Sequence, residues 1–372
     1  MAVAKRKNAR KAPSKKAPAK KTPANKRKRK PTGKPASPKE FLKGLKGSED
    51  DTSFRFLSDS IFLKSRERLP TGVLALDKLS GGGWPVGSLV EVAAWEGVGK
   101  STLLDQSVAQ VQRVGGTAAV IDTEGARDLG YMALLGVDPE KVIHMSAYTI
   151  EECFARIDEI LNRQEELGRE RALAPLFIVW DSIGGTPAKA ESEGGTDSNH
   201  MAVGAKRIKQ NLRRIMLRLP ELRTCLVVTN HFYKELGPFG GLQTPGGSGL
   251  RYFPHLRVRL MRKGQVKSGL RLIGHEVECQ VKKTRLGPMP PPTKAGLIYG
   301  SGFDNSFTLF DWALEHGEGA GHKWVTQRGA WYSLVEPGQE PVTFQHGFVG
   351  FGALMNERPE LYQKLVAGYL GG

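Results

Sequence analysis

Cysteine is scarce: three residues, Cys153, Cys225 and Cys279, in a chain of 372. They are scattered and lack metal-ligand spacing, which excludes a disulfide framework and a thiolate metal centre and fits a reduced compartment. No apolar run is long enough to span a bilayer, so no membrane partner is expected. The N-terminus lacks the apolar core of a signal peptide, and the expected location is cytoplasmic. Acidic residues are nearly missing from the start of the chain. Residues 1–50 hold 18 of the 55 basic residues but only 3 of the 38 acidic ones, so they carry +15 of the formal +17. The rest of the chain is close to neutral. Large apolar side chains are also rare in that region, which excludes a packed core there and predicts a disordered Lys/Ala/Pro-rich tail. Such a polycation is suited to binding phosphate backbone without reading bases, with steep salt dependence. A solubilising tail and a nuclear-import signal at "KRKRK" are the other readings of the same residues.

After a short bridge, about 51–70, strands and helices alternate. "SLVEV", "TAAVIDTE", "KVIHM", "PLFIVWDS" and "TCLVVTNH" read as strands; "STLLDQSVAQVQRV", "DLGYMALLG", "TIEECFARIDEILNRQEEL" and "HMAVGAKRIKQNLRRIMLRL" read as helices. Alternation of this kind predicts an α/β fold with a mostly parallel sheet flanked by helices. From about Leu250 the pattern turns strand-rich, and "RYFPHLRVRLMRK" and "LIGHEVECQVKKTR" read as antiparallel additions. Residues 303–372 mix helix with aromatic-rich pieces and predict a small α+β module. The expected organisation is a tail over 1–50, a core over 51–302 and this module. No internal repeat is present.

Chemistry concentrates first at "VEVAAWEGVGKSTLLDQ", Val90 to Gln106. Gly99, Lys100 and Ser101 fit the phosphate-loop pattern G-x-x-x-x-G-K-[S/T], but Ala94 replaces its opening glycine. The context is a strand followed by a helix N-terminus, where backbone N–H groups and the helix dipole cradle phosphate. Lys100 is suited to the β- and γ-phosphates and Ser101 to Mg²⁺, with Gly97 and Gly99 keeping part of the loop free of Cβ atoms. A hydrolase also needs a metal-side carboxylate and a group that orients water. Asp181 ends the apolar strand "LFIVWD", and Glu124 follows the strand "VIDTE". Strand C-terminal ends are where ligands sit in open α/β sheets.

Several segments, in order from about Thr71 to Ser333, resemble the RecA-type recombinase family. "PTGVLALDKLSGGGWPVGSLVEV" resembles the family's approach to the phosphate loop and "EGVGKST" the loop. "VIDTEGARDLGYMALLGVD" resembles its catalytic-glutamate segment. "IVWDSIGGTPAKAESEG" resembles its Walker B strand and first DNA-binding loop, and "DSNHMAVGAKRIKQNLRRI" the helix that follows. "TPGGSGLRYF" resembles the end of the second DNA loop, and "GAWYS" the C-terminal module. The resemblance implies a RecA-like P-loop ATPase core that uses ATP and Mg²⁺ in DNA recombination, repair and the SOS response to DNA damage. It implies filaments on single-stranded DNA, pairing with homologous duplex, loader or mediator proteins and a repressor as further partners, and a nucleoid-associated location.

By position, the resemblance makes Glu124 the catalytic carboxylate, assisted by Lys100 and Lys282. It gives Glu96, Gly97, Gly99, Lys100, Ser101, Thr102, Asp128, Tyr131, Asp181 and His231 to the nucleotide, Tyr131 by stacking on adenine, and Ser101 and Asp181 to the metal. It implies DNA contacts from Met201, Lys206, Arg213, Phe239, Gly246, Gly247 and Ser248. Independently, Lys206, Lys209, Gln210 and Arg213 recur at helical spacing and form one basic stripe. The chain departs from the family pattern at three places. These are Ala94, His231 where the family has a γ-phosphate-sensing glutamine, and Thr284 where it has the second of two lysines that reach a neighbouring subunit. "PKEFLKGLKG" is the only candidate for the family's inter-subunit helix. A RecA-like regulatory paralogue with little hydrolysis and a hexameric motor on the same core are the competing classes.

Overall fold

Strand β1 (Ser88–Ala94) is buried along its whole length and lies inside a nine-stranded sheet. In this computed structural model the described residues are 37–45, 56, 67–193, 200–234, 241–317, 323–336 and 338–371. The expected disorder of the tail falls outside them for residues 1–36 and 46–50. Two units divide the chain, Met1–Asp59 and Ser60–Gly372. In the first, helix α1 (Pro38–Leu45) forms within "PKEFLKGLKG". Ser37 and Glu40 cap it reciprocally: the Ser37 N–H donates to the Glu40 carboxylate at 2.7 Å and the Glu40 N–H to Ser37 Oγ at 3.3 Å. Phe41 and Leu45, one turn apart, are both exposed.

The other sheet strands are β2 (Thr117–Asp122), β3 (Val142–His144), β4 (Leu176–Asp181), β5 (Thr224–His231), β6 (Leu256–Ser268), β7 (Arg271–Thr284), β8 (Thr293–Ile298) and β9 (Gly302–Asp304). Their spatial order is β9-β8-β7-β6-β1-β5-β4-β2-β3. From β3 across to β6 every neighbouring pair is parallel. β7, β8 and β9 then alternate in direction. The two late strands read from sequence as antiparallel additions therefore differ: β7 is antiparallel to β6, but β6 joins β1 in parallel. The first arm of a hairpin carries no mark in its sequence of the direction of its other neighbour.

Helices cover both faces. α2 (Leu74–Ser80) and α3 (Lys100–Arg113) pack with Val90 and Val92 of β1, whereas α5 (Ile150–Glu170) and α7 (His200–Ile215) pack on the face that holds Leu89. Successive β1 side chains thus enter different cores, as the period of two requires. α4 (Leu129–Leu134), α6 (Lys189–Glu193), α8 (Arg218–Glu221) and α9 (Gly247–Tyr252) are short connectors. α10 (Asn305–Glu315), a three-stranded sheet β10 (Val325–Arg328), β11 (Trp331–Leu334) and β12 (Val342–Phe344), then α11 (Phe348–Glu357) and α12 (Pro359–Gly371), build a separate core around Leu309, Phe351 and Leu365. Among the described residues no helix is long and apolar enough to cross a membrane.

Asp77 of α2 sits buried at the edge of the main core, where its carboxylate accepts the Thr71 N–H at 2.8 Å. Burial pushes its pKa up to about 6, against that hydrogen bond. A folded pKa above the unfolded one gives stability that is fully present below the unfolded value and lost as pH rises through about 6. Asp77→Asn keeps the acceptor and removes the buried charge. It is expected to stabilise the protein by about 1–3 kcal/mol at pH 7.5 and to converge on the parent near pH 4, as read from denaturant melts at both pH values.

Candidate functional site

The parallel register brings the ends of β1, β5, β4 and β2 to one edge. Ala94 lies opposite His231, and Asp122 opposite Asp181. Residues 95–99 turn from β1 into α3, with Gly97 and Gly99 at φ of +66° and +101°. A Cβ on Gly99 would stand 2.9 Å from Leu297, so this position needs glycine for space as well as conformation. Ala94 has no such need. It is the last residue of the extended strand, and among the described residues only Arg223 and His346 take positive φ without being glycine. The missing opening glycine therefore costs no backbone strain.

Lys100 begins α3 and is buried. Its ammonium donates to the carbonyls of Ala94 (3.4 Å) and Trp95 (3.2 Å) and lies 3.3 Å from His231 Nδ1. Burial holds its pKa below the ordinary lysine value, against the pull of Asp181, Glu124 and Glu96. Glu96 and Gly97 are exposed at the loop tip, and Thr102 is half-buried in the first helical turn. Across the edge, Glu124 Oε1 accepts from Ser182 Oγ at 2.6 Å and lies 2.9 Å from His231 Nε2. An ammonium only donates and a carboxylate only accepts, so His231 serves Lys100 through Nδ1 as acceptor and Glu124 through Nε2 as donor. Burial raises the Glu124 carboxyl, but the Ser182 and His231 hydrogen bonds and the Lys100 charge outweigh it and hold it below the usual range. The loop carrying Glu124 is curled by Asp122, whose carboxylate accepts the N–H groups of Glu124, Gly125 and Arg127 at 2.9–3.3 Å.

Asp181 ends β4, and its peptide bond to Ser182 is cis. Its Oδ1 accepts from Thr229 Oγ1 (2.5 Å) and its Oδ2 from Ser101 Oγ (2.7 Å) and an Arg127 N–H (3.2 Å). No group of three metal-type side chains occurs among the described residues. One hydroxyl beside one carboxylate instead fits an ion such as Mg²⁺, which keeps waters and takes its remaining oxygens from phosphate. Asp128 caps α4, accepting the Tyr131 N–H at 2.7 Å, and Tyr131 is half-buried. Neither joins the Lys100–His231–Glu124 chain of hydrogen bonds.

Two charges inside apolar segments have partners that sequence reading missed. Buried Glu91 of β1 pairs with Arg257 and accepts from Asn230 Nδ2 at 2.9 Å, and the same Asn230 nitrogen donates to Pro245 O at 3.0 Å. Buried Asp105 of α3 pairs with Arg127. The available signal was a carboxylate on an otherwise apolar face, which demands a cation or donor.

Lys206, Lys209, Gln210 and Arg213 of α7 are exposed, opposite buried Ile208 and Leu212. Residues 183–187 and 243–247 border one cleft of about 530 Å³ together with Gly204, Ala205 and Ile208 of α7. Gly246 and Gly247 take φ of +96° and +63°, and Ser248 is exposed. Gly249 comes within contact of the Lys209 backbone, where a Cβ would stand 3.0 Å away, so α9 seats directly on the basic helix. Met201 lies in α7, with its side chain outside the described residues, as is all of Phe239. Lys282 is exposed on β7. Its neighbours are used locally: Thr284 Oγ1 accepts the Leu286 N–H at 3.0 Å, and Lys283 and Arg285 donate to Tyr252 O at 2.5 and 2.7 Å. Burial, with Arg285 and Arg257 alongside, brings Lys283 down to about 8.

A family model described as the RecA N-terminal domain matches residues 52–304. "Protein RecA" of Francisella tularensis subsp. novicida (strain U112) is 32% identical over 268 residues, covering 71% of this chain and 70% of its own length. The proteins of the same name from F. tularensis subsp. tularensis (strain WY96-3418) and subsp. holarctica (strain FTNF002-00 / FTA) match to the same extent.

Proposed function

Because the chain belongs to the RecA family, we propose that it is a DNA-dependent ATPase that polymerises on single-stranded DNA and exchanges strands with a homologous duplex. Family membership supports a P-loop ATPase and a role in recombination and repair at that coarser level. The observation that carries the finer reading is the edge where Lys100, His231, Glu124, Ser182 and Asp181 meet. Lys100 leaves the Ala94 and Trp95 carbonyls for the β- and γ-phosphates. Ser101 and Asp181 hold Mg²⁺, which when bound neutralises phosphate charge. Glu124 orients and deprotonates the attacking water. His231 touches both the lysine and the carboxylate, so a γ-phosphate that draws Lys100 away leaves its Nδ1 to report the event. Lys282 serves the neighbouring protomer's phosphate.

In the same proposal the cleft between residues 183–187 and 243–247, with Lys206 and Arg213 beside it, takes the DNA backbone. Gly246, Gly247 and Ser248 contribute backbone donors, and Met201 and Phe239 contribute apolar wedges. Asp128 and Tyr131 face the adenine. The division into a 1–50 tail, a 51–302 core and a 303–372 module belongs to this reading. So do mediator and repressor partners and a cytoplasmic, nucleoid-associated location. Negative-stain imaging of the full chain with single-stranded DNA and a non-hydrolysable ATP analogue is expected to show helical filaments. Closed rings would favour a hexameric motor. The turn-capping role of Thr284 favours one alternative, a regulatory paralogue with weak hydrolysis. Isolated particles together with no DNA-stimulated phosphate release would establish it instead.

A further inference from the structure

Arg127 is the only described cation that bonds the metal-side carboxylate, and it does so from a buried position. Its guanidinium meets Asp181 Oδ2 at 3.2 Å and Asp105 of α3 on its other side. The Arg127 side chain is 9% exposed and those of both acids 5%. Its Nε has no partner. Burial lowers its pKa and Asp181 raises it, but a guanidinium keeps its charge in any protein setting.

We propose that Arg127 is a positioning residue that sets the divalent-ion requirement of the nucleotide site, by holding Asp181 in place while cancelling part of its charge. The inference rests on the nucleotide-site reading above. The donors to Asp181 divide into those that move and one that does not. The Ser101 hydroxyl rotates, so it would be free to turn its oxygen from Oδ2 to an ion that Ser101 and Asp181 would hold. Thr229 occupies the other oxygen. Arg127 is fixed by Asp105 and by burial, and it stays. A permanent positive charge beside the carboxylate weakens the protein's own hold on a cation. The ion is then held mainly by nucleotide phosphate, and metal and nucleotide enter and leave together. The same guanidinium ties the loop that carries Glu124 to the helix that begins at Lys100, so the ion pair also has a structural role that the test must separate.

Two paired replacements remove the guanidinium without leaving Asp105 buried and unpaired, while Asp181 keeps the Thr229 and Ser101 hydroxyls: Arg127→Met with Asp105→Leu, and Arg127→Gln with Asp105→Asn. Mn²⁺ is titrated into the full chain saturated with ADP, and the free ion is read by its EPR signal. Both pairs are expected to bind Mn²⁺ roughly three- to tenfold more tightly than the parent, since second-sphere changes shift metal affinity by factors of this order and upward. Arg127→Lys, which keeps the charge, is expected to remain near the parent value. ADP affinity without any divalent ion, and the melting curve, serve as the structural readouts. If the apolar pair does not melt cooperatively, the Gln/Asn pair decides. Unchanged or weaker Mn²⁺ binding in a folded pair that still binds ADP overturns this proposal alone. Failure of the parent chain to bind ADP at all overturns the nucleotide-site reading and this proposal with it.

Discussion

Glu124→Gln is expected to lower ATP turnover by about two to four orders of magnitude while leaving ATP affinity within about twofold of the parent. Glutamine has the same shape, and its carbonyl oxygen still accepts from Ser182 and His231, so the edge keeps its geometry. What disappears is basicity. The amide cannot take a proton from water, and the loss falls on the transition state alone, which is the signature of unchanged binding with reduced kcat. Single-turnover phosphate release alongside equilibrium binding of a fluorescent ATP analogue separates the two. Parent-like turnover would move the catalytic role away from Glu124. A large loss of binding would mean that Glu124 holds the loop in place and does not act on water.

Lys100→Ala is expected to weaken ATP binding on the order of 100-fold, since charged hydrogen bonds to phosphate contribute about 1.5–3 kcal/mol and this lysine offers more than one. Hydrolysis should disappear with it. The fold should not suffer. The ammonium is buried and held below its ordinary pKa, so its removal takes away a desolvated charge along with two bonds to carbonyls that lie beside the exposed loop. Calorimetric titration with ATP and a thermal melt of the same sample test both halves. A parent-like affinity would show that the backbone N–H groups of the loop suffice without the lysine.

The alternation of apolar strands with amphipathic helices carried the α/β reading, and the structure has that sheet. The sequence reading also put Lys100 at a helix N-terminus and Glu124 and Asp181 at strand ends, because a ligand edge in a parallel sheet is a consequence of topology. Side-chain partnerships were less visible. Ser182 and Thr229, which hold the two carboxylates, are ordinary residues in sequence, and they matter only because the end of β4 and the neighbouring strand β5 bring them there. Asp128 was assigned to adenine by resemblance. Its carboxylate serves as the α4 cap, a local role that "RDLGY" permits as readily as any distant one. Arg127 sits 22 residues from Asp105, and no periodicity links a loop residue to a helix across that distance. The direction of β6 against β1 was hidden for the same reason: it is decided by which strand lies alongside, and strand composition says nothing of that.

The place of β1 between β5 and β6 has a consequence for how the protein is made. The strand that leads into the phosphate loop is among the first of the sheet to be synthesised. Its two hydrogen-bonding neighbours end at His231 and Ser268. At ribosomal rates of 5–20 residues per second, β1 waits on the order of ten seconds for its first partner and longer for its second. Throughout that time a strand that is buried along its whole length in the finished fold has both edges open, the condition in which chains pair with the wrong neighbour. Nucleotide cannot shelter it, because Ala94 and His231 must be side by side before Lys100 has its seat. The loop between β1 and α3 is thus early in the message and late in the fold, and no fragment that stops short of the end of β5 holds Lys100, His231 and Glu124 together.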